Sequence, residues 1–547
     1  MRFLKHIRDR SRNKSADLRN SNHHHGSPGH PRSSSLSPPP GLDYTSRLPH
    51  HVLAKIFSYV CPHALDDSYN SSEESMTENG CMLCDMRDLA HCALVCKRWF
   101  HQAQPLLYRH VRIDPVHYCE LELELAERRK HRSFFDRNGE PVDVPKIRLM
   151  LFMRTVRESQ KLANTVLSLR MPYMTREASK AELARTVSVL PNLRYVDLPS
   201  GFYSDDASSY TLKQELMARC PDIRRMRYAH GSEGSFSRLP GSQLWVNLEV
   251  LEVSGLQGEE SMLRMALHSF PALRSLKLED LPWLGDSIFA PIKTLPPFPP
   301  LQQLTLHNIP NVTASGLASY LCVPKNRDTL NNLTVSNTGV LPQSLHMVLS
   351  KAPHLQHVSI FQDVDRSFPV ENVPPLSSKS LKSMHYEITS ENQSYGLQPV
   401  SASYYTYLMS SLLSNSLPAL RKLYVRDAGF PETLLLSPPP RLFGGGESGP
   451  RPRRMGLQQP LSLYSKGMDE LEWNYTHFEP EATGRPSTPT RPASLHEAQL
   501  SPSWGGEARK SMIVGNGFGG FLAVPVDEGR PKSSGGYRRD SKHDLWR

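Results

Sequence analysis

One phrase returns along most of this chain and limits what it can fold into: an apolar residue followed three and five positions later by two more. It stands at Leu193/Val196/Leu198, Ile223/Met226/Tyr228, Leu248/Leu251/Val253, Leu273/Leu276/Leu278 and Leu301/Leu304/Leu306. It continues at Leu330/Leu333/Val335, Leu355/Val358/Ile360, Leu381/Met384/Tyr386 and Leu420/Leu423/Val425, with a degenerate first copy read at Asn164/Leu167/Leu169. Successive first positions lie 29, 30, 25, 25, 28, 29, 25 and 26 residues apart, then 39. A period of this size marks one supersecondary unit that buries its apolar face only by stacking on its neighbours. The last two apolar positions of each copy alternate along a short strand and point inward. Residues 177–190, 212–219, 262–269 and 345–350 read as amphipathic helices. Pro191, Pro221, Pro271, Pro353 and Pro418 each stand two residues before a leading apolar position, where proline forbids further helix and favours the extended start of a strand. Stacked strand–helix units of this kind give an α/β solenoid with parallel strands on its inner face.

The period and the phrase are those of leucine-rich repeats, expected here over 161–436 as a horseshoe. Ahead of it lies a different pattern. Leu48-Pro49 opens a helix on which Val52, Leu53, Ile56, Phe57 and Val60 recur at helical spacing, and a second helix over about 86–100 carries Leu94, Val95, Cys96 and Trp99. A short helix that is apolar nearly all round must be buried or must bury itself against a partner. Leu-Pro, two apolar pairs four residues apart, then Leu94-Val95-Cys96-Lys97-Arg98-Trp99 resembles an F-box, a small all-α module. The run Pro105 to Ile113 is similar to the strand-like exit that fungal F-box proteins carry before their repeats. The resemblance covers about 46–113 and implies docking on a Skp-family adaptor, and through it on cullin. It also implies the docking residues: Leu48, Pro49, Val52, Leu53, Ile56, Phe57, Leu94, Val95 and Trp99.

The module departs from the family by an insert at 61–87. With Asp66, Asp67, Glu73, Glu74, Glu78 and Asp85 against the single base Arg87, and with Ser68, Ser71, Ser72 and Ser75, the insert reads as a flexible acidic loop that bulges outward. Cys81, Cys84, Cys92 and Cys96 have some of the spacing of a zinc site. Cys92 and Cys96, however, fall on the face read as buried, where cysteine behaves as a small apolar residue, so no metal is assigned. Eight scattered cysteines suit a reducing compartment, cytoplasmic or nuclear.

The flanks are polar. Residues 1–43 and 526–547 read as disordered basic tails, 114–160 as connecting helices, and 437–460 as a linker. Residues 461–525 read as a C-terminal cap, with Met468 to Trp473 as one last strand and a loose Pro/Ser/Thr segment at 480–500. Gly515-Asn516-Gly517-Phe518-Gly519-Gly520 matches a dinucleotide fingerprint literally, but an apolar run follows where a helix is required, so it reads as a hairpin. Lys and Arg number 64 against 54 Asp and Glu, a net charge of +10 spread without a stripe, so nucleic acid is not an expected partner. No apolar run is long enough to span a membrane. Neither paired carboxylates, a nucleophile elbow nor a P-loop is present, so no catalytic residue and no cofactor is assigned.

The expectation is a non-enzymatic subunit of an SCF-type ubiquitin ligase, its F-box on the adaptor and its repeats on a protein substrate whose binding residues are not legible. The alternative is an F-box and leucine-rich-repeat scaffold outside any ligase, nuclear or chromatin-associated.

Overall fold

The computed structural model describes residues 44–60, 62–74, 87–113, 144–369, 373–390, 399–435 and 457–479. The tails, the residues 119–132, the cysteines Cys81 and Cys84, and the glycines at 515–520 lie outside them.

The first described residues build a small helical unit: α1 (His50–Ser58), α2 (Arg87–Val95) and α3 (Lys97–Arg109). Leu53, Phe57, Ala64, Leu89 and Ala103 form its core, with Leu48, Trp99, Leu106 and Leu107 packed around them. The helix expected over 86–100 is in fact two, because Cys96 takes an extended backbone (φ −156°, ψ 168°) and starts α3 afresh. Cys96 is exposed as a result, not on a buried face. The expected strand-like exit from Pro105 is also shorter than the sequence suggests. Pro105 lies inside α3, and only β1 (His110–Arg112) is extended. Helix α4 (Val144–Glu158) follows.

Among the described residues the strands form two sheets. The first joins β1, β2 (Ser168–Arg170) and β3 (Tyr195–Val196) in that order. The second holds β4 (Arg225–Ala229), β5 (Val250–Ser254), β6 (Ser275–Glu279), β7 (Gln303–His307) and β8 (Asn332–Ser336). It goes on through β9 (His357–Asp363), β10 (Ser383–Thr389), β11 (Lys422–Val425), β12 (Leu461–Ser465) and β13 (Asn474–Phe478). The strands lie side by side in chain order. All neighbours from β4 to β12 are parallel, and only β13 turns back antiparallel on β12. Helices α5 (Lys180–Val187), α6 (Tyr210–Arg219), α7 (Glu260–His268), α8 (Ala314–Leu321), α9 (Leu345–Lys351) and α10 (Ala402–Leu413) fall between strands.

The phrase positions explain the packing. From Leu193 to Val425 every residue of the nine copies is buried, and they share one core cluster with the inward faces of the helices. The first copy is displaced by two residues from the expected one. Leu169 pairs with Val196, so the buried set is Val166, Leu169 and Met171, while Asn164 is exposed. The last strand expected at 468–473 is a connection instead, with Leu471 95% exposed, and strands stand on either side of it. β12 escapes the phrase because its third apolar position is Ser465.

A second periodicity sits where each strand ends. Gly255, Asp280, Asn308 and Asn337, each the residue after its strand, have φ of 62°, 53°, 52° and 48°. Each donates its N–H to the last or a nearby carbonyl of the following strand, at 2.9–3.0 Å. Glycine adopts this left-handed turn freely, and Asn and Asp pay the least among other residues.

Candidate functional site

Within the helical unit the nine expected docking residues separate into two groups. Leu53 and Phe57 are buried, and Trp99 lies edge-on to Phe57 with ring centroids 5.1 Å apart, so these three hold the unit together. The Trp99 indole also donates to Thr45 Oγ1 at 3.3 Å. Leu48 and Val52 are half-buried, and Pro49 is exposed. Ile56, Leu94 and Val95 are 46%, 55% and 63% exposed. Leu94 and Val95 reach solvent because they end α2 just where Cys96 breaks it.

The open face of the sheets is read most simply from the residue between the last two apolar positions of each copy, which points away from the core. In chain order these are Arg112, Arg170, Asp197, Arg227, Glu252, Lys277, Thr305, Thr334, Ser359, His385, Tyr424 and Tyr464. The column passes from charge, through small hydroxyls, to rings.

The charged end is covered. Residues 66–74 do not bulge outward as the sequence suggested; they lie across β1 to β4. Arg170, 2% exposed, donates to Asp66 Oδ2 at 2.6 Å, to the Ser68 carbonyl at 2.6 Å and Oγ at 3.2 Å, and to the Asn70 carbonyl at 3.1 Å. Asp197, equally buried, accepts from Ser72 N–H at 3.1 Å, Met171 N–H at 2.9 Å and the Tyr195 hydroxyl at 2.5 Å. The Tyr69 ring lies 6.4 Å from that of Tyr195, and its carbonyl accepts from Arg225. Glu73 takes Arg176 at 3.0 Å and the Tyr173 N–H at 3.0 Å, and Glu74 takes Arg225 at 3.2 Å. Asp67 faces His110 Nε2 at 3.2 Å and Arg109 at 3.6 Å. The acidic composition that suggested a solvated loop is the complement of a row of arginines the phrase does not reveal.

The electrostatics follow from this seating. Burial works against the Asp66 carboxylate, but the Ser68 hydroxyl and N–H and the Arg170 guanidinium hold it below the usual range. Burial dominates at Asp197 and raises it despite Tyr195, Met171 and Arg176. His110, with Nδ1 3.0 Å from Ser168 Oγ, is pushed down by burial to about 4, with Asp67 opposing. Cys92 is raised by burial and then by Asp88. Among the described residues no set of three His, Cys, Asp or Glu is placed to hold a metal ion, and no helix is long and apolar enough to cross a membrane.

Residues 45–114 match the F-box-like family, and the chain therefore carries an F-box-like domain near its N-terminus, followed by mixed α/β structure. No curated protein matches the chain. Among solved structures it is similar to the complex of Rad7 and Elc1 in yeast, at 15% identity and a TM-score of 0.35, over 50% of this chain and 66% of that one. A second is the leucine-rich repeat-containing protein LegL7 from Legionella pneumophila, at 15% identity and a TM-score of 0.30, over 50% of this chain and 87% of that one. The chain thus spans just under two thirds of the yeast chain it matches.

Proposed function

We propose that this chain is the substrate-recognition subunit of an SCF-type ubiquitin ligase of the fungal F-box and leucine-rich-repeat kind. The F-box-like domain binds a Skp-family adaptor and, through it, cullin. The repeats form a horseshoe solenoid that holds a protein substrate. The chain contributes no catalytic group; it works in the cytoplasm or nucleus by bringing substrate to the other subunits, which raises effective concentration without chemistry of its own.

The observation that carries this reading is the exposure of Ile56, Leu94 and Val95 within residues that match the F-box-like family. Covering each gains about 1 kcal/mol, since each is about half exposed, and a few central apolar anchors commonly dominate an interface. The strands lying in chain order, nearly all parallel, support the solenoid reading.

The test is co-purification of the full chain with adaptor and cullin. Replacing Ile56, Leu94 and Val95 together by Asp is expected to weaken adaptor binding about a hundredfold, with an unchanged thermal midpoint because none belongs to the core. Undiminished adaptor binding in that variant would sink the docking assignment. Adaptor captured without cullin would sink the ligase role.

A further inference from the structure

The far end of the open face carries a row of rings that the function proposed above leaves unassigned. His385 and Tyr424 stack with centroids 3.9 Å apart and planes 15° off parallel, and Tyr424 and Tyr464 stack at 4.4 Å and 8°. Tyr475 on β13 continues the row, 5.2 Å from Tyr464, and Trp473 meets Tyr424 edge-on at 5.4 Å. Rings stacked along the direction from strand to strand occupy one another's faces and turn their edges outward. Ring edges are the positive part of the aromatic quadrupole.

Cations flank the row on both sides. Lys422 precedes Tyr424 by two residues on the same face and is exposed; Arg426 follows it by two, and Lys466 follows Tyr464 by two. The Arg426 Nη2 donates to the Met468 carbonyl at 2.7 Å, while its Nε is buried without a hydrogen-bond partner. Lys466 sits over the Trp473 ring at 4.3 Å. Among the carboxylates by this patch, Glu387 is buried and lies 3.9 Å from Lys466, while Asp469, Glu470 and Glu472 are exposed in the connection from β12 to β13. Glu470, in the turn beyond, is engaged by the Gly467 N–H and Asn474. The same molecule shows what such a surface accepts. At the other end of the face, the run Asp66-Asp67-Ser68-Tyr69-Asn70-Ser71-Ser72-Glu73-Glu74 lies over arginines with its tyrosine against Tyr195, turning at 72–74.

We infer that the open face of β10 to β12 binds an extended acidic segment of a partner protein, its carboxylates reaching Lys422, Arg426 and Lys466 and its backbone lying over the ring edges of His385, Tyr424 and Tyr464. This rests on the substrate-receptor reading and names the chemical class of the substrate's recognised segment. Single-stranded nucleic acid suits the patch less well, because bases stack on free ring faces and here those faces are taken.

The test is selection of peptides by the purified full chain from a synthetic library randomised over Glu, Asp, Tyr, Ser, Gln, Lys and Arg. Enriched sequences are expected to carry a net negative charge and to bind less tightly as salt rises. Lys422→Glu, and separately Tyr424→Ala with Tyr464→Ala, are expected to weaken them about tenfold or more. Lys277→Glu, on β6 of the same face, is expected to leave them unchanged. A neutral, basic or empty selected pool overturns the inference, as does undiminished binding in the Lys422→Glu variant. Displacement of the peptides by an oligothymidylate overturns it in favour of nucleic acid. A dimer in solution that Tyr464→Ala dissociates overturns it in favour of a second copy. Adaptor binding is measured separately: peptide selection that fails while adaptor binds removes this inference alone, and the reverse removes only the ligase role.

Discussion

At the scale of single residues, two positions carry measurable consequences. Asn337 is exposed and holds φ at 48° so that its N–H reaches the Phe361 carbonyl. Asn337→Val forces a β-branched side chain into the left-handed region and is expected to cost about 2 kcal/mol in urea unfolding, whereas Asn337→Gly leaves stability nearly unchanged. His110 gives a pH dependence. Its imidazole titrates near 6.5 in the unfolded chain and near 4 in the folded one, so between these values the unfolded state binds the extra proton. Stability is therefore fully present above about pH 6.5 and falls as pH drops toward 4, by an amount of the order of 3 kcal/mol. Unfolding measured at pH 7 and pH 5 is expected to show a smaller loss for His110→Asn than for the natural chain; equal losses would remove His110 as the cause. Neither feature is legible in the sequence. The left-handed turns fall among ordinary Gly, Asp and Asn residues between apolar phrases, and His110 acquires its environment from Ser168 and Asp67, distant in sequence.

At the scale of elements, the strands are the most readable part, since burial of the last two phrase positions in each copy from Val196 to Val425 follows directly from a period-two strand with one face in a core. The copy at Val166 is ambiguous in sequence because two leucines, Leu167 and Leu169, offer a competing register to the one that pairs Leu169 with Val196. The segment 66–74 departs from expectation for a different reason: acidity signals a solvated loop only when no buried cation awaits it. Arg170 is that cation. Arg170→Met leaves Asp66 without its guanidinium partner and the carbonyls of Ser68 and Asn70 without the arginine's donors, and is expected to cost about 3 kcal/mol. Limited proteolysis should then cut within 62–74 at least several-fold faster. Unchanged cleavage would mean that the arginine does not hold the segment. Asp66→Asn, which keeps an acceptor near Arg170, is expected to do less. The docking residues divide along the same line. The resemblance implies Leu53, Phe57 and Trp99 as docking residues beside Val95, but a motif in sequence does not distinguish a residue that builds a core from one, such as Val95, left outside it by a helix break at Cys96.

At the scale of the whole molecule, the two ends of the open face were beyond reach of the phrase, because the phrase records what is buried and the face is made of what lies between. The intervening column from Arg112 to Tyr464 changes from charge to rings, in a register that pairing at Leu169 and Leu463 sets. The seating of 66–74 has a further consequence, for the order in which the molecule assembles. Neighbouring strands are joined by bonds between residues about one repeat apart, and such near contacts close quickly. The bonds from 66–74 to Tyr173, Arg170, the Asp197 carboxylate and Arg225 instead span 100, 104, 125 and 156 residues. Closing loops of that size costs entropy that is recovered only after β2, β3 and β4 exist to receive them. The segment is thus a late arrival, and a chain emerging from the ribosome carries its acidic run uncovered until more than a hundred further residues have followed.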